Sequence, residues 1–119
     1  MTAANAALTT PLYFHKNGKM EKQDVLAALA ALAQETRLDV FRLLVRAGKE
    51  GLTPGALAAR LGLPSATLSF HLKELKSAGI VRCERRGRSL RYRPDFASMN
   101  QLLAFLTEHC CEGCEGPPS

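Results

Sequence analysis

Apolar residues recur at every third or fourth position over most of this chain, which is the spacing of an amphipathic helix. Five segments follow this spacing, and they predict helices over residues 20–33, 35–48, 52–62, 63–80 and 95–109. Residues 1–19 sustain no such period and contain Pro11, Asn17 and Gly18, so they predict a loosely ordered arm.

The segment 80–94 alternates between apolar and polar residues, as a strand does when one of its faces is buried. Val81, Cys83, Leu90 and Tyr92 are the apolar set, and Gly87 lies between the two runs. The segment therefore predicts a β-hairpin. The expected fold class is mainly α with a small β-hairpin.

Local signals mark where several of the helices begin and end. Thr53 followed by Pro54 combines a hydroxyl cap with a proline in the first helical turn. Asp95 is expected to open the last helix, while Gly48 and Gly79 are expected to end the second and the fourth.

Three of the predicted helices have a distinct apolar side. The second helix places four apolar residues on one side, namely Leu38, Phe41, Leu44 and Val45. The fourth helix has a predicted buried stripe of Leu68, Leu72 and Leu75. The last helix has a broader stripe of Phe96, Met99, Leu102, Leu103 and Leu106. A stripe of this breadth must be covered by the protein's own core or by a second subunit.

Charge is distributed unevenly along the chain. The formal net charge is +5, but the segment from Arg60 to Arg93 holds nine Lys or Arg and two acids, which gives +7. The rest of the chain has seven basic and nine acidic residues. A basic block in a slightly acidic frame indicates a polyanionic partner, although a solvated basic face has the same composition.

The length and the cysteine count narrow the class of protein. At 119 residues the chain is expected to form one domain. The longest uncharged run, residues 1–14, is too short to span a bilayer and lacks the features of a signal peptide. We therefore expect a cytoplasmic protein, and this makes a disulfide framework the weaker interpretation of the four cysteines.

Two short helices joined by a tight turn and followed by a basic hairpin predict a winged helix-turn-helix. The recognition helix is expected at about residues 65–78, with residues near its start reaching base edges in the major groove. The predicted DNA-binding residues of this helix are Ser65, Thr67, Ser69, Phe70, His71 and Lys73. For His71 a packed, hydrogen-bonded role is favoured over a phosphate contact. The predicted DNA-binding residues of the wing are Arg85, Arg86, Arg88 and Arg91.

The segment LAQETRLDVFRLLVRAG, together with LTPGALAARLGLPSATLSFHLKELKSAGIVRCERRGRSLRYRP, resembles the ArsR/SmtB family of metal- and metalloid-responsive repressors. The match is sharpest at SFHLKELKSAGIV, residues 69–81. The resemblance implies a homodimer on operator DNA that pairs through its first and last helices, and members typically release DNA when metal binds. It places these residues at the interface: Leu26, Leu29, Met99, Leu102, Leu103 and Leu106.

Three of the four cysteines lie in the last ten residues, as Cys110, Cys111 and Cys114. Thiolates are soft ligands, and three of them satisfy trivalent arsenic or antimony in a pyramidal site. Family members named for arsenic often carry a cysteine pair before the recognition helix, but the segment 52–62 holds none. The tail resembles a second arrangement in the family, with the cysteines just beyond the final helix. Arsenite or antimonite is therefore the expected effector.

Other interpretations of the tail stay open. Zinc ranks second, in a Cys3His set that includes His109, because adjacent cysteines give poor tetrahedral geometry. A disulfide-based redox sensor and a constitutive DNA-binding protein with an incidental tail are further alternatives. A thiol enzyme is weaker still, since the thiols have no convincing catalytic partner, and no enzymatic activity is expected. Cys83 is expected to be a small buried residue and not a ligand.

These expectations divide the chain into three parts. Residues 1–19 form the arm, residues 20–109 form the DNA-binding and dimerisation domain, and residues 110–119 form a cysteine-rich sensory tail.

Overall fold

Within residues 20–113, which the computed structural model describes, the chain forms five α-helices and one antiparallel β-hairpin. The helices are α1 (Lys22–Leu32), α2 (Glu35–Ala47), α3 (Pro54–Leu61), α4 (Ser65–Ser77) and α5 (Phe96–Thr107). The strands are β1 (Val81–Arg86) and β2 (Ser89–Pro94), and a short 3₁₀ turn, Gly48–Glu50, follows α2. The predicted fold class is confirmed. The predicted arm and Cys114 lie outside the described residues.

The helix signals in the sequence act as expected. The Ala56 N–H donates to Thr53 Oγ1 over 3.2 Å at the start of α3, and the Ser98 N–H donates to Asp95 Oδ1 over 3.0 Å at the start of α5. Each bond satisfies a donor that the first helical turn would otherwise leave unpaired. Within residues 20–113 the longest helices have 13 residues, and none of the helices there could span a lipid bilayer.

The hydrophobic core lies under α4. The predicted stripe of Leu68, Leu72 and Leu75 is confirmed, since each of these side chains is at most 2% exposed. Neighbouring elements contribute the rest of the core, mainly Val25, Ala28, Val40, Leu44, Leu57 and Ile80. Because this core holds one side of α4, it fixes which side of the helix faces outward.

The predicted apolar side of α2 needs a correction. Phe41 and Leu44 are buried, but Leu38 is 42% exposed and Val45 is 36% exposed, and Val40 is buried instead. The helix packs against α4 and β2, and these two neighbours turn its buried arc towards Val40. A linear pattern of four apolar residues does not contain that information.

The predicted hairpin is present, and β1 pairs with β2 from Val81 opposite Pro94 to Arg86 opposite Ser89. Gly87 lies in the turn with a φ of +62°, in the left-handed region that favours glycine. The alternation in the sequence therefore marks a real hairpin.

The last helix is shorter than predicted, since α5 ends at Thr107 and not at residue 109. Its broad apolar stripe is covered in part by the protein's own core, because Leu102 is 7% exposed and Met99 is half-buried against the core. Leu103 and Leu106 remain 54% and 55% exposed.

Candidate nucleic-acid interface and cysteine tail

The outer side of α4 carries the residues that the sequence singles out for DNA. Ser65, Thr67, Ser69, Phe70 and Lys73 are all exposed, and the buried leucines occupy the opposite side of the helix. The hydroxyl and ammonium groups can bond to base edges or phosphates, and the exposed ring of Phe70 can contact a base or a sugar. This side of α4 thus has the chemistry of a recognition surface.

The turn that precedes α4 sets the angle between the two helices of the motif. Gly62 ends α3 with a φ of +65° and a ψ of +38°, a left-handed conformation that costs glycine little. The Leu63 N–H then donates to the Ala58 carbonyl over 3.0 Å, which closes the helix end. Pro64 follows and directly precedes α4. The segment 62–64 is therefore the tight turn of a helix-turn-helix.

His71 lies on the inner side of α4 and is 8% exposed. Its Nδ1 is 3.3 Å from Nη1 of Arg37, and the Nε of Arg37 donates to the Ala31 carbonyl over 2.7 Å. Burial lowers the pKa of His71, the Arg37 guanidinium lowers this pKa further, and Glu74 opposes the shift. This geometry leaves little of the imidazole for a phosphate, and it matches the packed role favoured from the sequence.

The four predicted wing arginines divide into two pairs. Arg86 is held by two carboxylates, at 3.4 Å from Glu50 and 3.6 Å from Glu84. Arg91 Nη1 donates to the backbone carbonyls of residues 50 and 51 over 3.4 and 3.3 Å. Arg85 and Arg88 are exposed and make no ion pair within the described range. The guanidinium groups of Arg85 and Arg88 are therefore more available to DNA than those of Arg86 and Arg91.

A contact that the sequence analysis missed anchors the base of the wing. Leu52 forms a β-bridge with Tyr92, with N–H to carbonyl distances of 2.9 and 2.8 Å in the two directions. Gly51 approaches Tyr92 so closely that a Cβ at this position would lie 2.5 Å from the Tyr92 carbonyl oxygen. The only local signal was a glycine beside a hydrophobic residue, since the partner strand is forty positions away in the sequence.

Cys83 is half-buried on β1, directly opposite Tyr92. Burial raises the pKa of the Tyr92 hydroxyl, and a side-chain hydrogen bond with Cys83 raises this pKa further. The thiol thus packs beside Tyr92 in the wing, although it is half-buried and not fully buried as predicted.

Two of the three tail cysteines are described, and their sulfur atoms lie together. Cys110 Sγ is 3.2 Å from Cys111 Sγ, in a series of turns that follows α5. The turns require positive φ angles at two non-glycine residues, +63° at His109 and +69° at Cys111. The Nδ1 of His109 pairs with the carboxylate of Glu112. Within residues 20–113, no three His, Cys, Asp or Glu side chains converge as a metal site would require.

The predicted dimer residues fall into two groups. Leu26 and Leu29 on α1 are 57% and 38% exposed, and Leu103 and Leu106 on α5 are also exposed. Met99 and Leu102 instead pack against the core of the same chain. Helices α1 and α5 are in contact with each other, so four exposed leucines lie on two neighbouring helices.

The chain matches a protein-family model and a relative of known name. A family model described as a helix-turn-helix domain matches residues 32–84. The nodulation protein NolR of Rhizobium meliloti is 31% identical over 91 residues, which cover 76% of this chain and 72% of NolR.

Solved structures agree with this match. An ArsR-like transcriptional regulator from Rhodococcus sp. RHA1 superposes with a TM-score of 0.67 at 28% identity, over 76% of this chain and 83% of that one. The homodimeric winged helix-turn-helix domain of a possible ArsR-family regulator from Mycobacterium bovis superposes with a TM-score of 0.58 at 28% identity. The match covers 81% of this chain and 89% of that domain. The AntR antimony-specific transcriptional repressor superposes with a TM-score of 0.57 at 32% identity, over 72% of this chain and 77% of AntR.

Proposed function

The chain belongs to the ArsR/SmtB family of winged helix-turn-helix transcription regulators, and from this premise we propose that it is a metalloid-responsive repressor. It is a DNA-binding regulator and not an enzyme. As a repressor it binds operator DNA as a homodimer, and it dissociates when trivalent arsenic or antimony binds Cys110, Cys111 and Cys114.

The DNA-binding part of the proposal is supported by the outer side of α4 and by the free arginines of the wing. Thr67, Ser69 and Lys73 project away from the core, at the positions from which a recognition helix reaches the major groove. Arg85 lies near the end of β1 and Arg88 lies in the hairpin turn, where they would reach phosphates or the adjacent minor groove.

The homodimer is supported by the exposed leucines of α1 and α5. Four large apolar side chains on two neighbouring helices are 38–57% exposed, so a partner that covered each one would contribute about half of the roughly 1.5–3 kcal/mol gained when a fully exposed side chain is buried. The structural relative from Mycobacterium bovis is a homodimeric domain. A second copy of this chain would cover the same leucines in a two-fold arrangement.

The single observation that carries the effector proposal is the 3.2 Å distance between the sulfur atoms of Cys110 and Cys111. Two sulfur atoms this close can bind one ion without rearrangement of the helices, and trivalent arsenic and antimony are thiophilic. Cys114 would supply the third thiolate from three positions further along the chain. The antimony-specific relative AntR is consistent with an effector of this chemical class.

Zinc is the weaker candidate. Its Cys3His set would need His109, whose Nδ1 is paired with the carboxylate of Glu112, so that Nε2 would be the ligand. His109 and the two described cysteines are adjacent in one tight turn, whereas a structural zinc site needs four ligands at tetrahedral positions.

The position of the cysteines provides a route from effector to DNA. Cys110 comes three residues after the end of α5, and its N–H donates to the Thr107 carbonyl over 3.0 Å. Closure of the tail around a metalloid would therefore pull on the end of a dimerising helix and change the spacing of the two recognition helices. Because the two binding equilibria are linked, DNA must weaken metalloid binding by the same factor by which the metalloid weakens DNA binding. That factor is typically about 5–150-fold.

The experiment that tests the proposal compares two cysteine variants. Cys110→Ser should bind operator DNA normally and should not be released by arsenite or antimonite, because one thiolate of the site is lost. Cys83→Ser is the matched control, since this cysteine lies on β1, and it should be released like the wild type. Release is measured by fluorescence anisotropy of labelled DNA, and normal release of Cys110→Ser would place the sensory site elsewhere.

A further inference from the structure

A second basic site lies outside the recognition helix and the wing, in a pocket between α2 and α3. The pocket has a volume of about 360 Å³ and is lined by Asp39, Arg42, Leu43, Arg46, Arg60 and Leu61. The lining of this concave surface therefore includes three arginines and one acid. A concave basic surface concentrates anions more strongly than the same charges on a flat face.

The helices themselves bring these arginines together. Arg42 and Arg46 are four positions apart on α2, so they lie on one side of that helix, and both are exposed. Arg60 is exposed in the last turn of α3, which packs against α2. Leu43 and Leu61 are partly buried against the core and provide an apolar base for the pocket.

The arginines of the pocket differ from most other arginines of the fold in having no protein acceptor. Arg37, Arg86, Arg91 and Arg93 each donate to a carbonyl or a carboxylate at 2.7 to 3.4 Å. Over the part of the chain that the structure describes, no ion pair joins the three pocket arginines to an acid. Their N–H donors are therefore open to an external anion.

We propose that the pocket formed by Arg42, Arg46 and Arg60 binds a backbone phosphate of duplex DNA beside the groove that α4 enters. This inference rests on the DNA binding proposed above. The first helix of a helix-turn-helix crosses the DNA backbone, and here that helix is α3, which carries Arg60. Arg60 also precedes the start of α4 by only five residues. The planar fork of a guanidinium group matches two phosphate oxygens, which a lysine cannot do.

The linear charge pattern conceals this site. The basic block of the sequence begins at Arg60, and Arg42 and Arg46 fall outside it because residues 35–50 hold four basic and three acidic residues, a net charge of only +1. Only the packing of α2 against α3 brings the arginines to one place.

The test measures how DNA affinity falls with salt, using a random-sequence duplex so that only phosphate contacts are compared. Each neutralised phosphate contributes roughly 0.9 to the slope of log affinity against log salt. With one phosphate in each of the two pockets of a dimer, the magnitude of this slope should be smaller by about 1.8 in the triple variant Arg42→Gln, Arg46→Gln, Arg60→Gln. Between 50 and 200 mM salt, the wild type should lose roughly tenfold more affinity than this variant.

Lys22→Gln is the matched control, because Lys22 is an exposed cation on α1, away from the pocket, and its loss should leave the slope unchanged. Circular dichroism of each variant verifies that the fold is retained. An unchanged slope in a folded triple variant would contradict the proposal.

A second measurement separates DNA phosphate from free phosphate as the source of the anion. Inorganic phosphate could raise the unfolding temperature of the wild type but not of the triple variant, while both proteins have the same slope of DNA affinity against salt. In that case the pocket binds a free anion, and its assignment to DNA is wrong. The proposed function fails in a different way. A wild type that shows no preference for DNA from upstream of its own gene is not an operator-binding repressor, whatever the slope of the pocket variant.

Discussion

The neighbours of each wing arginine determine whether its charge is available to DNA. Glu50 and Glu84 lie within 3.6 Å of Arg86, so a phosphate would have to compete with two carboxylates for this guanidinium. Arg88 lies at the turn of the hairpin and makes no ion pair within the described structure. Four arginines that look equivalent in the sequence are therefore not equivalent in the fold.

We expect Arg88→Gln to weaken DNA binding more than Arg86→Gln does. The loss of one phosphate contact per protomer should lower the salt slope by about 1.8 per dimer for Arg88→Gln, and by clearly less for Arg86→Gln. Equal losses for the two variants, measured by anisotropy over a range of salt concentrations, would show that Glu50 and Glu84 do not restrain Arg86.

At the scale of elements, the wing depends on a contact with the segment that precedes α3. The bridge between Leu52 and Tyr92 fixes the base of the hairpin, and Gly51 permits the close approach because it has no side chain. Gly51 also has a φ of +71° with a ψ of −175°, a backbone conformation almost restricted to glycine, which costs another residue of order 1–3 kcal/mol. The backbone conformation and the close contact with Tyr92 therefore both require glycine at this position.

Gly51→Ala should destabilise the protein and weaken DNA binding, because the new Cβ would meet the Tyr92 carbonyl oxygen and displace the wing. Gly48→Ala is the matched control, since its φ is +78° but nothing lies within 4 Å of a Cβ there. We expect Gly48→Ala to lower the unfolding temperature by the backbone cost alone and to leave DNA affinity unchanged. Equal effects of the two variants on DNA affinity would contradict the role of the bridge.

The order of elements could be predicted from the sequence because its signals are local. The cap at Thr53, the glycine at the hairpin turn and the period of α4 each act within a few residues, and each is present in the fold. What could not be predicted depends on partners distant in the sequence. The exposure of Leu38, the bridge at Leu52 and the arginine pocket are all set by how elements pack, and no local pattern encodes that packing.

At the scale of the whole molecule, the proposal requires that two chains act together. The exposed leucines of α1 and α5 are the surface through which a second copy would be bound, and the cysteine tail continues directly from α5. A sensor at the end of a dimerising helix can act on both recognition helices at once, because the dimer fixes their separation.

Leu106→Asp should convert the dimer into a folded monomer, since a carboxylate would have to be buried without a partner in the interface. Leu38→Asp is the matched control, because Leu38 is a comparably exposed leucine on α2 and is 42% accessible. Analytical ultracentrifugation reports the mass, and circular dichroism reports the helix content. A Leu106→Asp protein that remains dimeric would exclude this part of α5 from the interface.

A titration of the reduced wild-type protein bound to labelled DNA from upstream of its own gene tests whether a metalloid releases the protein from DNA. Arsenite, antimonite and zinc are added separately, and fluorescence anisotropy follows the release of DNA. We expect release by arsenite or antimonite and none by zinc, because the paired sulfur atoms of Cys110 and Cys111 favour a thiophilic metalloid. Release by zinc alone, or tight binding that none of the three ions disturbs, would contradict a metalloid-responsive repressor.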